Sequence, residues 1–214
     1  MVVSQRLMWI SEAKKRRGAL MALVNHETKD IHCKILYVGP NLSGKTTTMR
    51  ALYKELAEKT LSHDLFFEDM EAQDKYFEFL PLSLGDVNSY QIKLHLYSRP
   101  YWGVYDTLEG LLFQNLDGLV YVFDSDPLAL DDNINELSDV RERLDDKGFD
   151  ASNFPQVFQY NKQDLLRKLP TGLLNLELNT YRYPFFETVA TKSVGVKESL
   201  TSLAKQILSQ IKSE

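Results

Sequence analysis

Apolar residues along the chain recur in two rhythms, and each predicts a different element. Six short runs are rich in β-branched and aromatic residues: "IHCKILYV" (31–38), "YFEFLPL" (76–82), "YQIKLHLYS" (90–98), "GLVYVFD" (118–124), "PQVFQYN" (155–161) and "PFFETVA" (184–190). These read as strands. Between them the spacing widens to three and four. Ile134, Leu137, Val140 and Leu144 make one helical stripe within 131–147, and Val196, Leu200, Leu203, Ile207 and Ile211 make another. Strands alternating with helices predict an α/β chain with a doubly wound, mostly parallel sheet. The runs 76–82 and 90–98, joined by "SLGDVNS", read as a hairpin, so one edge strand is expected to be antiparallel.

In such sheets ligands gather at the carboxyl ends of strands, and three polar signals stand there. The first, "GPNLSGKT", follows the first strand, and the helical stretch "TTTMRALYKELAEK" (46–59) follows it. Gly39, four residues, then Gly44-Lys45-Thr46 is the spacing of a P-loop, whose backbone N–H groups surround an anionic phosphate chain. The phosphate-binding candidates are Gly39, Asn41, Leu42, Ser43, Gly44, Lys45, Thr46 and Thr47. Lys45 would bring a compact positive charge to the phosphates, and Thr46 would offer its hydroxyl to Mg²⁺, with the helix N-terminus behind both. The bland alternative is a glycine turn with no ligand.

The second signal, "NKQD" at Asn161 to Asp164, selects the base. A carboxylate accepts two hydrogen bonds from the N1–H and exocyclic amine of guanine, and adenine offers no such pair. Asp164 would therefore discriminate strongly, because adenine would leave it buried and unpaired. Asn161 would tie this loop to the P-loop, and the stem of Lys162 would cover one face of the base. The third signal, "ATKS", lies where the Ala190 N–H, beside Thr191, could meet the guanine carbonyl.

Composition narrows the classes. A net charge of −5 with no basic stripe argues against nucleic acid as a partner. Cys33 alone can form neither a disulfide framework nor a cysteine metal site, which fits a reducing cytoplasm. No run approaches the ~20 apolar residues of an integral membrane segment, and lipidation signals are missing. Residues 1–24, with "KKRR" at 14–17, read as an extension outside the fold or a basic helix that docks on a partner or anionic surface. Residues 25–214 are then one domain, with Met21 a second plausible start.

The stretches "CKILYVGPNLSGKTT", "FEFLPLSLGDV", "LHLYS", "VYD", "DGLVYVFDS", "QYNKQDL" and "VGV" carry a closer likeness. From about 31 to 212 the chain resembles a Ras-like small GTPase, and more closely the bacterial MglA group that controls cell polarity and motility. That resemblance implies a P-loop small G-protein fold, GTP and GDP binding with Mg²⁺, and a cytoplasmic switch that can localise at a cell pole. It also implies polarity or motility effectors and a roadblock-domain activator of the MglB type.

The chain departs from that family where hydrolysis is performed. Asn41 replaces the usual third P-loop glycine. The family's Mg²⁺-sensing Thr and charge-supplying Arg fall on Asp74 and Gln73 in an ungapped match. Where MglA proteins have Pro-Gly-Gln this chain has Pro100-Tyr101-Trp102, and an indole N–H donates only, so it cannot align an attacking water as Gln does. Arg99 and Asp74 are the remaining catalytic candidates, while Tyr101 and Trp102 would make good partner anchors. Slow, absent or partner-dependent GTP hydrolysis is expected. The alternative is a pseudo-GTPase scaffold or hub with permanently bound nucleotide; an ATP-using kinase is disfavoured by Asp164.

Overall fold

The computed structural model describes residues 22–56, 78–98 and 110–211. Its elements are β1 (Leu23–Asn25), β2 (Asp30–Val38), α1 (Lys45–Glu55), β3 (Glu78–Val87), β4 (Tyr90–Ser98), β5 (Gly118–Asp124), α2 (Leu130–Asp146), β6 (Gln156–Asn161), α3 (Thr171–Leu178), β7 (Phe185–Glu187) and α4 (Val196–Ile211). One seven-stranded sheet runs in the order β3-β4-β2-β5-β6-β7, with β1 paired to β2. The β4-β2, β2-β5, β5-β6 and β6-β7 pairs are parallel, and β3-β4 and β1-β2 are antiparallel. Mostly parallel strands with an antiparallel β3 edge are what the hydrophobic pattern predicts.

The hairpin differs in detail from the sequence expectation. β3 continues past residue 82 to Val87, through a register shift between Ser83 and Gly85, and only Asn88 and Ser89 remain as the turn. Both have positive φ, 51° and 69°, the geometry of a type I′ turn, whose twist matches that of the strands it joins. Gly85, at φ 90°, is where a glycine permits the bulge.

β1 was not expected. Its three residues pair with His32, Ile31 and Asp30 on the edge of β2 that β5 takes over from Ile35 onward. Asp117 closes the gap between them: its Oδ2 accepts from the Lys34 N–H at 2.7 Å, and its own N–H donates to the Lys34 carbonyl at 2.9 Å.

Helices cover both sheet faces, so the central strands are enclosed on both sides: every residue of β5 and β6 is buried, including the hydrogen-bonded Gln159 of β6. On one face Ile35, Tyr37, Leu80, Leu94, Leu96, Val120 and Val157 pack with Met49 and Leu52 of α1 and Val196, Leu200, Leu203 and Ile207 of α4. On the other, Leu36, Tyr121, Phe123 and Phe158 pack with Leu137, Val140 and Leu144 of α2 and with α3. The stripe read for α4 is the buried one. In α2 Leu137, Val140 and Leu144 of the stripe are buried as read, but Ile134 is exposed, and the polar Asn133 and Glu136 are buried beside Leu137. Cys33 is buried, and burial pushes its thiol far up, so it stays protonated.

At the start of the parallel pair, His32 and His95 stack with ring centroids 5.1 Å apart, their Nδ1 and Nε2 2.8 Å from each other. Burial first, then His32 and Lys93, brings His95 down to about 4; burial also lowers His32. Lys93 in turn bonds the Asp30 carboxylate at 2.8 Å. Lys34, two residues along, donates Nζ to the carbonyls of Leu111 and Gln114, and burial lowers it to about 8.

Candidate functional site

The loop after β2 owes its path to two glycines. At Gly39 (φ 148°) a Cβ would lie 2.2 Å from the carbonyl oxygen of Val122, and at Gly44 (φ 107°) one would lie 2.2 Å from Asn161 Nδ2. Neither position admits a side chain, so backbone alone can occupy both approaches. Gly44 caps α1, and Lys45 opens it. Lys45 Nζ lies over the loop, donating to the carbonyls of Gly39 (2.7 Å) and Pro40 (2.9 Å). Asn41 and Leu42 are exposed; the Asn41 Oδ1 accepts from the Leu42 N–H at 3.0 Å, so that side chain folds onto its own loop. Thr46 and Thr47 are half-buried in the first turn of α1. Ser43 is fully buried, and its Oγ has no hydrogen-bond partner among the described residues.

Asn161, at the end of β6, joins the three loops. Its Nδ2 donates to the Ser43 carbonyl at 2.8 Å, and its Oδ1 accepts from Thr188 Oγ1 and the Ala190 N–H, both at 3.1 Å. The Ala190 N–H, expected for a base carbonyl, is thus engaged by Asn161 at the rim of the site. After Asn161 the chain turns at Lys162 (φ 64°), and the Gln163 N–H bonds the Thr188 carbonyl at 3.1 Å. Asp164 is exposed and faces Lys192 Nζ at 3.6 Å, while Thr191 stands exposed in the short helical turn Ala190–Lys192. Two of the three loops carry an oriented charge: a lysine over the phosphate loop and a carboxylate at the base loop.

These features suit a bound nucleotide: the two glycine approaches, the Lys45 ammonium at a helix N-terminus, and the buried Ser43 hydroxyl without a protein partner among the described residues. Lys45 and the loop N–H groups would hold phosphate, Thr46 a Mg²⁺ ion, and Asp164 the base. Of the earlier candidates, Asp74, Arg99, Tyr101 and Trp102 lie outside the described residues. Ser98, at the end of β4, is buried opposite Tyr37.

Three contributors were not read from the sequence. Glu136 of α2 is buried and accepts from the Gly39 N–H at 3.1 Å, steadying the entry to the loop. Asn133 clamps the end of β5, accepting from the Asp124 N–H (3.0 Å) and donating to its carbonyl (2.8 Å). Asp124 closes the turn after β5, its Oδ1 accepting from the Asp126 N–H at 3.0 Å, and its Oδ2 also binds Lys162 Nζ at 2.6 Å; Asp126 caps the short helical turn that follows, accepting from the Leu128 N–H. The available signal was position: Asn133 and Glu136 precede Leu137 and Val140 on the buried face of α2, where a polar residue requires a partner.

No family model matches the chain. Over 192 residues it is 34% identical to the mutual gliding-motility protein MglA of Myxococcus xanthus (strain DK1622), an alignment spanning 90% of this chain and 98% of that protein.

Proposed function

The chain belongs to the MglA family of small GTPases, and on that premise we propose that it is a GTP/GDP switch, with Mg²⁺ as cofactor, that acts through effector proteins in cell polarity or motility. The observation that carries this reading is the convergence on Asn161: one side chain bonds the phosphate loop at Ser43 and the base loop at Thr188 and Ala190. Loops tied at one point keep phosphate and base contacts at a fixed separation, so a nucleotide meets a prepared site and binding does not bear the full cost of ordering it.

In this reading the chain's own groups divide the work. Gly39 to Thr47 hold the phosphates, with Lys45 as the fixed charge; Thr46 offers its hydroxyl to the metal; Asp164, Lys162 and the Ala190–Thr191 loop receive guanine. Bound Mg²⁺ would neutralise phosphate charge. Hydrolysis is slow or needs a partner, because the sequence has Asp74 for Thr, Gln73 for Arg and Trp102 for Gln at the family's positions. Loss of an arginine alone is worth about 10³ to 10⁵ in rate. A roadblock-domain partner of the MglB type would engage Tyr101 and Trp102, with the protein in the cytoplasm and recruited to a cell pole.

The test loads purified protein with GTP and Mg²⁺, with ATP as competitor, and follows bound GTP and GDP by chromatography. The reading expects GTP bound and intact for hours, displaced by GDP and not by ATP. Tighter binding of ATP would overturn it. GDP accumulating within minutes would reject the slow-hydrolysis part and point to Arg99 or Asp74. A protein that never exchanges its nucleotide would be a scaffold instead of a switch.

A further inference from the structure

We infer that Asp124 is a positioning residue for nucleotide binding, acting through Lys162, whose ammonium it holds so that the lysine stem is laid in place for the base. The inference rests on the guanine-nucleotide reading above.

Three observations carry it. The first is that Asp124 is itself held through both its backbone and its side chain. It ends β5, pairs with Asn161 in the ladder, and has its N–H and carbonyl both bonded by the buried Asn133 side chain of α2. Its Oδ1 accepts from the Asp126 N–H at 3.0 Å, which fixes the plane of the carboxylate. The second is that Oδ2, the oxygen left over, meets Lys162 Nζ at 2.6 Å, with the Asp124 side chain 9% and the lysine 34% exposed. A short ion pair with one partner almost enclosed is a stronger constraint than a surface pair between two flexible side chains. The third is that Lys162 sits at φ 64°, a left-handed conformation, and is the residue directly after Asn161. Backbone fixed by the turn at one end and ammonium fixed by Asp124 at the other leave the four-carbon stem little freedom.

A lysine loses considerable rotamer freedom when it is ordered. If that ordering is done within the protein, nucleotide binding does not have to do it. Asp124 also offsets the lysine's charge, so Lys162 serves the base as an apolar cover more than as a cation. The neighbouring bonds reinforce this junction: Gln163 Nε2 donates to Ser125 Oγ at 2.7 Å, and the Leu169 N–H to the Ser125 carbonyl at 2.8 Å.

The experiment is a double-mutant cycle on Asp124→Asn and Lys162→Met, reading the dissociation rate of radiolabelled GDP chased with unlabelled GDP. The amide of Asp124→Asn keeps an oxygen for the Asp126 N–H and turns a donor toward the ammonium, so the turn survives while the pair does not. Releasing one ordered side chain should speed GDP loss about three- to tenfold, with no further change when Asp124→Asn is added to the Lys162→Met chain. The preference for GDP over IDP, which lacks the amine read by Asp164, should stay the same in Asp124→Asn. Thermal unfolding of each variant reports the fold separately. Unchanged or slower GDP loss in Asp124→Asn overturns the inference, and so does an equal effect with and without Lys162. If the parent protein binds no guanine nucleotide, the proposed function fails and this inference falls with it; binding that depends on Asp164 but not on Asp124 removes the inference alone.

Discussion

Acidification should weaken the fold through His95, well above the pH at which its carboxylates are protonated. The ring lies between β2 and β3, opposite Lys34 and Pro81 in the ladders, stacked on His32 and near Lys93, which bonds Asp30. Its folded-state value is about 4 against an ordinary 6.5. Between those values the unfolded chain holds a proton that the folded chain refuses, so stability falls as the pH drops through 6.5 toward 4 and levels off below. From about pH 7.5 to 5.0 the linkage integral is about 2 kcal/mol, and the full window gives about 3. His32, also lowered, acts in the same direction. Urea unfolding at several values between about pH 7.5 and 5.0 should show that fall in the parent chain, and His95→Gln should remove most of it, whatever its stability at the upper end. Asp30 and Asp150, both lowered, lose their contribution only further down and leave this window clear. Parallel pH curves for parent and variant, within about 0.5 kcal/mol, would refute the reasoning.

Three further outcomes can be checked. Gly44→Ala places a methyl 2.2 Å from Asn161 Nδ2 at φ 107°, so it should cost about 1–3 kcal/mol in thermal unfolding and weaken GDP at least about tenfold. Asn133→Ala strips two buried backbone groups of Asp124 of their partner and should cost about 2–4 kcal/mol in urea unfolding; a loss under about 0.5 would mean water replaces the amide. Ser89→Gly relieves a left-handed residue in the Asn88–Ser89 turn and should stabilise the chain by about 0.5–1 kcal/mol, read as a raised urea midpoint.

Much of the sheet was legible because central strands of a parallel sheet must be apolar on both faces, which leaves uninterrupted runs such as "GLVYVFD". β4 and β5 begin and end where the pattern puts them. α4 was equally plain, since Val196, Leu200, Leu203 and Ile207 are all buried. β1 was not legible: three residues are too few to show a period, although Val24 packs against the core beside its backbone pairing. α3, "TGLLNLEL", was missed because apolar residues ring it instead of forming a stripe: Leu174 and Leu178 are buried, and Leu176 is exposed. Three of the four stripe positions read for α2, Leu137, Val140 and Leu144, are buried; only its first member was misread, because the buried place beside exposed Ile134 goes to Asn133, a polar residue that its bonds to Asp124 make tolerable. For the candidate site the motifs carry residue types at fixed spacing, and the long-range partners do not. Nothing near Gly39 in sequence announces Glu136, 97 residues away.

β1 also bears on how this chain would aggregate. β2 outruns β5 toward its own beginning, so Asp30 to His32 would present bare amide and carbonyl groups on that edge if Leu23–Asn25 were not laid against them. An unpaired strand edge is a template for a second molecule. Three residues of backbone therefore act as a blunting device, and a truncation that begins at residue 26 would trade a covered rim for a sticky one.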